Sequence, residues 1–379
     1  MAGKRGNNEG SVYRTQDGRW AGALTLAGSK RKVVYGKTRA EASAKLVSAI
    51  RDKDKGLPSV NEQKTLGHYL PEWLAAVRST VRPGTWVRYE QYVRVHLIPG
   101  LGRKAVARLT PEDLEALYLQ KVEGGLSPTT VHHMHTVLHA ALGLAMERGQ
   151  VARNVATLAK PPKLARPEMQ TLNPEQARAF LAAAAGDRLE ALYVTALSTG
   201  AREGELLALS WASVDLDRGT IQIKANVRRV KGAFVFSEPK TPRSRRQVSL
   251  TPTAIDALRR HHARQAEERL SLGTAWCDMN LVFANEVGRP IEPPNLLRRS
   301  FYPLLARAKT SDGNPLPPIH FHSLRHTAAT LLLARGTHPK LVADMLGHSQ
   351  VSVTLDRYSH VTAGMHQAAA ATMEAVLQG

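Results

Sequence analysis

One cysteine, Cys277, stands in a chain of 379 residues. No internal disulfide can form, and no cysteine-based zinc site can assemble within one chain. The stretch Ala275-Trp276-Cys277-Asp278 holds no basic neighbour that would activate the thiol, so cysteine chemistry is not expected and a reducing compartment fits. Long apolar runs are also missing. No stretch reaches the length of about 18 apolar residues that a membrane span needs, and no amino-terminal signal with a small-residue cleavage site occurs. There is no Gly-x-x-x-x-Gly-Lys-[Ser/Thr] run to cradle a nucleotide phosphate. Acid is scarce: 32 aspartates and glutamates face 52 lysines and arginines, a net charge of +20. Such a chain seeks polyanions, nucleic acid first. With 43% hydrophobic residues it can bury real cores, and its length suggests two or three domains of roughly 150 residues.

Basicity is strongest at the front, where residues 1–60 hold thirteen basic residues against five acidic ones, a local charge of +8. Residues 11–14, 19–27 and 31–35 read as three short strands separated by Gln16-Asp17-Gly18 and Gly28-Ser29-Lys30 turns. Thr38-Arg39-Ala40-Glu41 reads as a capping box for a helix reaching about residue 52. The exposed face of that sheet is expected to carry Arg14, Arg19, Lys30, Arg31 and Lys32, with Tyr13, Trp20 and Tyr35 beside them for packing or for contact with DNA.

A polar connector near 53–64 leads into a helical segment. Leu66, Leu70, Trp73, Leu74 and Val77 have the spacing of one helix, and Trp86, Tyr89, Val93 and Leu97 that of a second. Thr110-Pro111-Glu112-Asp113 and Ser127-Pro128 open two more, each with an N-cap and a proline at the first helical position. His132, His133, His135 and His139 lie on this fourth helix. Without a carboxylate or cysteine among them, a polar or phosphate-facing surface is a better reading than a metal site. Prolines 161, 162 and 167 mark a stiff extended linker. Beyond it, Asn173-Pro174-Glu175-Gln176 caps a helix, and helices alternate with one strand-rich stretch near 221–250.

The informative constellation lies in this last part. Thr199-Gly200-Ala201-Arg202-Glu203-Gly204-Glu205-Leu206 is followed by Pro239-Lys240-Thr241, His322-Ser323-Leu324-Arg325-His326, Leu346-Gly347-His348 and Tyr358. In this order the residues resemble the tyrosine recombinase, or phage integrase, family over about residues 65–365. By that resemblance Arg202 and Arg325 are the catalytic arginines, and Glu205 buttresses the first. Lys240 is the hairpin lysine, His322 and His348 are the catalytic histidines, and Tyr358 is the nucleophile. Arg243, Arg245 and Arg246, which follow the lysine, are expected to contact DNA. Ser323 stands where many members carry aspartate.

The chemistry explains the residue types. A phosphodiester attacked at phosphorus gathers negative charge on its nonbridging oxygens, which two permanently charged guanidinium forks suit. A phenol with an ordinary pKa near 10 is about one part in a thousand ionised at neutral pH, so Tyr358 needs a base such as His322. The leaving 5′ oxygen needs an acid, for which Lys240 is the candidate. The expected intermediate is a 3′-phosphotyrosine, formed and resealed without cofactor, metal or ATP.

The resemblance implies a multidomain α+β chain. Residues 1–60 form a three-stranded sheet plus helix that binds arm-type DNA, 61–160 an all-α, SAM-like core-binding bundle, and 161–379 a mainly α catalytic domain with a small sheet and a C-terminal tail. It implies a phage or integrative-element integrase acting on double-stranded attachment sites, of core and arm type, as a homotetramer. DNA-bending and directionality proteins are candidate accessory partners, the host cytoplasm is the expected location, and no membrane is involved. Rival readings are a DNA-binding regulator that has lost catalysis, a type IB topoisomerase and a metal-dependent nuclease. Relaxation of a plasmid lacking attachment sites marks the second, and loss of cleavage in EDTA the third.

Overall fold

The computed structural model describes residues 10–25, 31–54, 64–164, 169–230, 232–238, 245–348, 350–357, 373, 374 and 376–378. The chain divides into two compact units, Met1–Arg166 and Pro167–Gly379.

In the first unit, β1 (Ser11–Arg14), β2 (Trp20–Thr25) and β3 (Arg31–Gly36) form an antiparallel meander, and α1 (Arg39–Asp54) packs on one face. Alternation decides which side chains meet the helix. Val12, Leu24 and Val34 join Leu46, Ala49 and Ile50 in a small apolar cluster. The cap of α1 differs from the box read in the sequence: Thr38 accepts the Glu41 N–H at 3.2 Å, but the Glu41 carboxylate takes the N–H of Lys37 at 2.9 Å instead of that of the cap residue.

The helical part comprises α2 (Leu66–Val77), α3 (Pro83–Tyr92), α4 (Ile98–Leu101), α5 (Pro111–Glu123) and α6 (Pro128–Glu147). Trp73 is the centre of its core, stacked on Tyr89 with 5.6 Å between ring centroids. The Tyr69 hydroxyl, buried with it, donates to the Ala141 carbonyl at 2.6 Å, which avoids the penalty of a dry polar group. Thr110 and Asp113 make the reciprocal capping box that starts α5. The sequence reading of one helix through Leu97 misses a π-helical turn at Val93–Leu97 between α3 and α4. Its cause is Pro99, which has no N–H to donate and whose ring clashes with the carbonyl four residues back, so the ladder slips before it.

The second unit begins with α7 (Pro174–Ala184), capped reciprocally by Asn173 and Gln176. Next come α8 (Glu190–Thr199) and the short α9 (Glu203–Leu206). Helix α8 is buried almost all round, as a helix apolar on every face must be. Strands β4 (Val214–Asp215) and β5 (Thr220–Ile223) precede a separate hairpin, β6 (Asn226–Val230) and β7 (Ala233–Ser237). Strand β8 (Arg246–Ser249) then returns to pair with β5, giving the order β4-β5-β8. Helices α10 (Pro252–Leu272), α11 (Pro293–Leu296), α12 (Tyr302–Arg307), α13 (Phe321–Ala334), α14 (Pro339–Leu346) and α15 (Val351–Arg357) complete the described part. One large core runs through α7, α8, β5, β8, α10 and α12. A smaller one, Ala329, Leu333, Val342 and Leu346, joins α13 to α14.

Candidate active site

Helix α8 ends because Gly200 adopts the left-handed conformation, φ +60°, and its N–H closes on the Ala196 carbonyl. Two residues later Arg202 begins α9. Its main-chain N–H donates to Glu205 Oε2 at 3.0 Å and its Nη1 to Glu205 Oε1 at 2.6 Å. The other side of that carboxylate meets Arg246, whose Nη2 lies 2.9 Å from Oε2. One carboxylate thus holds two guanidiniums from different elements. The Glu205 and Arg246 side chains are 4% and 5% exposed, whereas Arg202 is 37% exposed. Burial works to raise the Glu205 carboxyl, yet the hydrogen bond and charge of Arg246, with the charge of Arg202, hold it below the usual range. Glu203, beside Arg202, is partly buried, and burial pushes its carboxyl up.

Arg246 continues the chain of contacts, its Nε donating to the Met345 carbonyl at 2.6 Å. The Arg246 guanidinium, expected at the DNA surface, is turned toward Glu205, a carboxylate that needs a second cation once it is out of water. Arg245, one residue earlier, is exposed and paired with Glu238 at 2.5 Å, so only one member of this basic pair is on the surface.

Helix α14 ends at Gly347, φ +68°. A Cβ there would lie 3.1–3.3 Å from Arg246, so the glycine of Leu-Gly-His serves both the helix cap and the seat of the arginine. His348 follows, its Nδ1 2.8 Å from the hydroxyl of Thr354, a fully buried residue of α15. From α13, Arg325 is 3% exposed and donates through Nη1 to the Gly200 carbonyl at 2.8 Å. His322, one turn earlier, is exposed, with its ring edge-on to His326 at 4.8 Å. Arg202, Glu205 and Arg246 are therefore joined directly, Arg325 is joined to them through the Gly200 carbonyl, and His348 follows the glycine that seats Arg246. Lys240 and Tyr358 lie outside the described residues, as do Lys30 and Arg243; α15 ends at Arg357, the residue before the tyrosine. Thr354, Gly347 and the inward role of Arg246 were not anticipated. A glycine after an apolar helical run was the available signal for Gly347; nothing local marks Thr354.

The N-terminal sheet also differs from expectation. Arg14 pairs with Trp20 in register, and its Nε donates to the Gly18 carbonyl at 3.2 Å. By alternation with Val12 it lies on the helix side of the sheet, and Lys32 pairs with Leu24, which packs toward α1. Arg19 and Arg31 instead accompany Tyr13 and Tyr35, with guanidinium-to-ring distances of 5.1 Å (Arg19 to Tyr35) and 5.8 Å (Arg31 to Tyr13). The histidines of α6 find aromatic and hydroxyl partners: Tyr118 lies 3.0 Å from His135, Tyr92 3.3 Å from His133 and Thr157 3.4 Å from His139. Among the described residues no group of three or more potential ligands is placed to hold a metal ion, and no helix is long and apolar enough to cross a membrane.

Comparison with known proteins follows the same lines. The phage integrase family profile matches residues 170–365, and that of the phage integrase N-terminal SAM-like domain matches 65–122. The chain is 31% identical over 351 residues to a tyrosine recombinase XerC-like protein of Caldanaerobacter subterraneus, covering 87% of this chain and 88% of that one. It is also 31% identical over 395 residues to an integrase of Streptomyces ambofaciens, covering 100% and 99%. The fold resembles that of the Tn1549 transposon integrase in complex with transposon right end DNA, with TM-score 0.69 and 23% identity over 80% of this chain and 99% of that one. It resembles the lambda integrase tetramer bound to a Holliday junction with TM-score 0.56 and 17% identity over 93% and 96%. The match over more than half of the chain, together with relatives that align along nearly all of it, makes this protein a member of the phage integrase family, the tyrosine recombinases.

Proposed function

We propose that Tyr358 is the nucleophile of this site-specific DNA recombinase and that Arg202, Arg325, His322, His348 and Lys240 act on the same phosphate, with Glu205 positioning Arg202. Enzymes of this family cut and rejoin DNA through a phosphotyrosine intermediate. In the cleavage step the Tyr358 oxygen attacks phosphorus, a P–O bond to tyrosine forms and the bond to the 5′ oxygen breaks. His322 takes the phenolic proton and Lys240 supplies one to the departing oxygen. Rejoining runs the same steps backward with a 5′-hydroxyl from the other strand, so the ester retains the bond energy.

The observation that carries this reading is the asymmetry of Arg202. One edge is fixed by a buried carboxylate while more than a third of the side chain remains open. A guanidinium so held reaches the transition state without reorganising. Its attraction for a phosphate charge at 4 Å is about 1 kcal/mol in bulk water and about 4 at an effective dielectric near 20, so it acts best once bound DNA excludes water from it. Arg325 is pinned to the Gly200 carbonyl two residues before Arg202, which supports a joint action of the two cations.

Residues 1–60 hold arm-type sites, 61–160 and 161–379 hold the core site, and four protomers join two duplexes for phage or element integration and excision in the host cytoplasm. The test is a nicked suicide substrate carrying the recombination site. Wild type should become covalently attached to the 3′ end, in EDTA as well as in magnesium, and Tyr358→Phe should not. Absence of any adduct at Tyr358 on the proper site defeats the proposal. Deleting residues 1–60 should abolish arm-site binding and leave core-site cleavage, and loss of both refutes the division of labour.

A further inference from the structure

The open face of the N-terminal sheet carries chemistry that strand cleavage does not use. Val12, Leu24 and Val34 pack toward α1, so by alternation Tyr13, Arg19, Ala21, Ala23 and Tyr35 share the other face. Ala21, in register between Tyr13 and Tyr35, is fully buried, while the two tyrosines are exposed.

Arg19 precedes β2 on this face, and its side chain is 63% exposed. An arginine that exposed ordinarily samples many rotamers, but this one is fixed on two sides. Its guanidinium lies over the Tyr35 ring, 5.1 Å from the centroid. Its Nε donates to Asp17 Oδ2 at 2.6 Å, and Nη2 pairs with the same carboxylate. Asp17 is itself held: the Thr15 hydroxyl bonds to it and lies 2.8 Å from the Arg19 carbonyl, closing the turn. Hydrogen bonds from Thr15 and Arg19 pull the Asp17 carboxyl down to about 2, so it stays charged at any working pH. With Nε and one hydrogen of Nη2 taken by Asp17, Nη1 and the outer hydrogen of Nη2 are left with no further partner among the described residues. Together they offer two parallel donors, the pattern that guanine accepts at O6 and N7 in the major groove. A two- or three-stranded sheet can enter that groove.

We propose that Arg19 reads a guanine in the accessory DNA site, with Asp17 as the positioning residue that presents it. The inference rests on the reading that residues 1–60 bind duplex DNA, and it adds which residue selects which base. A phosphate could also accept the fork, so the test must separate base reading from backbone contact.

The experiment selects sequences from a randomised duplex library with the full chain, then measures binding to the selected site and to versions with guanine replaced at each position. Wild type should prefer guanine at one position by about 5- to 150-fold, the range for one bidentate contact. Arg19→Lys keeps the charge and loses the fork, so it should flatten preference at that position alone while the salt dependence stays near wild type. Asp17→Asn should weaken the same preference, and the far-UV circular dichroism of each variant checks that the sheet persists. If Arg19→Lys keeps the wild-type base profile, or weakens binding equally for every base, the guanine assignment falls. The double variant Arg19→Glu, Arg31→Glu separates the two levels. If it binds every selected sequence as wild type does, the sheet is not a DNA-binding face and both readings fall. If it loses the accessory sites while Arg19→Lys keeps the wild-type profile, only the guanine assignment falls.

Discussion

Glu205 is a single buried carboxylate shared by two arginines, one buried and one partly open to solvent. Removing its charge takes the carboxylate away from the buried Arg246 guanidinium, and breaking a buried pair in this way typically costs about 3–5 kcal/mol. Glu205→Gln should therefore lower the urea midpoint of the second unit and also cleavage, because Arg202 loses its anchor. The carboxyl is held below its ordinary value of 4.5 in the folded state. Its contribution to stability is thus fully present above that value and is lost as pH falls through the lower, folded pKa. His261 acts at a higher pH. Its Nε2 donates to the Val282 carbonyl at 2.7 Å and its Nδ1 accepts from Arg264 at 3.1 Å, the pattern of a neutral ring. Burial first, with the charges of Arg264 and Arg188, lowers it to about 4 from 6.5, against the opposing pull of Val282 and Glu268. The unfolded chain therefore takes up this proton first, and stability falls as pH drops from 6.5 toward 4, by about 3 kcal/mol for this group. Urea midpoints at pH 7 and pH 4.5 should differ less in His261→Gln than in wild type, and an equal difference rejects the assignment. At this scale the sequence made Arg202, Glu205 and Arg325 legible because their spacing is local to motifs. It did not reveal that Arg246 turns inward, since adjacent arginines look alike until strand alternation separates Arg245 from Arg246.

Among elements, the site depends on helix ends. Helices α8 and α14 each stop at a left-handed glycine, and Arg202 and His348 follow directly from those stops. A Cβ at Gly200 would come within 2.5 Å of Leu346 Cδ2, so α8 and α14 touch where their caps meet. Gly200→Ala combines a left-handed conformation unfavourable by about 1–2 kcal/mol with overpacking of about 1–3 kcal/mol. It should destabilise the second unit by roughly their sum, measured by urea unfolding, and slow cleavage by displacing Arg202 and the Gly200 carbonyl that Arg325 holds. A variant as stable and active as wild type contradicts the packing described. N-terminal caps were legible: Thr110, Ser127 and Asn173 each stand before a proline and start a helix as read. The π-helical turns at Val93–Leu97 and Leu297–Phe301 were not read, although each ends two residues before a proline, Pro99 and Pro303. Apolar spacing alone does not register a slipped ladder. The strand-rich stretch was legible as strands but not as a three-stranded sheet with a separate hairpin, because pairing β5 with β8 skips over twenty residues of chain.

For the whole molecule, a net charge of +20 makes steep salt dependence certain for any polyanion and so selects no function by itself. What selects is where the charge can act. A cation that contacts phosphate releases counterions and adds about 0.9 to the slope of log K against log salt, whereas one buried against a carboxylate releases none. Arg31 is exposed on the open sheet face and Arg246 is buried beside Glu205. Arg31→Ala should weaken binding to full attachment sites and reduce the slope by about 1. Arg246→Ala should leave the slope unchanged and lower the unfolding midpoint instead. The measurement is a binding titration of each full-length variant from about 50 to 200 mM salt, a range over which six to ten phosphate contacts lose about 10³–10⁵ in affinity. Equal reductions in slope for the two variants would mean that Arg246 leaves its carboxylate when DNA arrives, and the division between a DNA-facing and a structural arginine would fail with it.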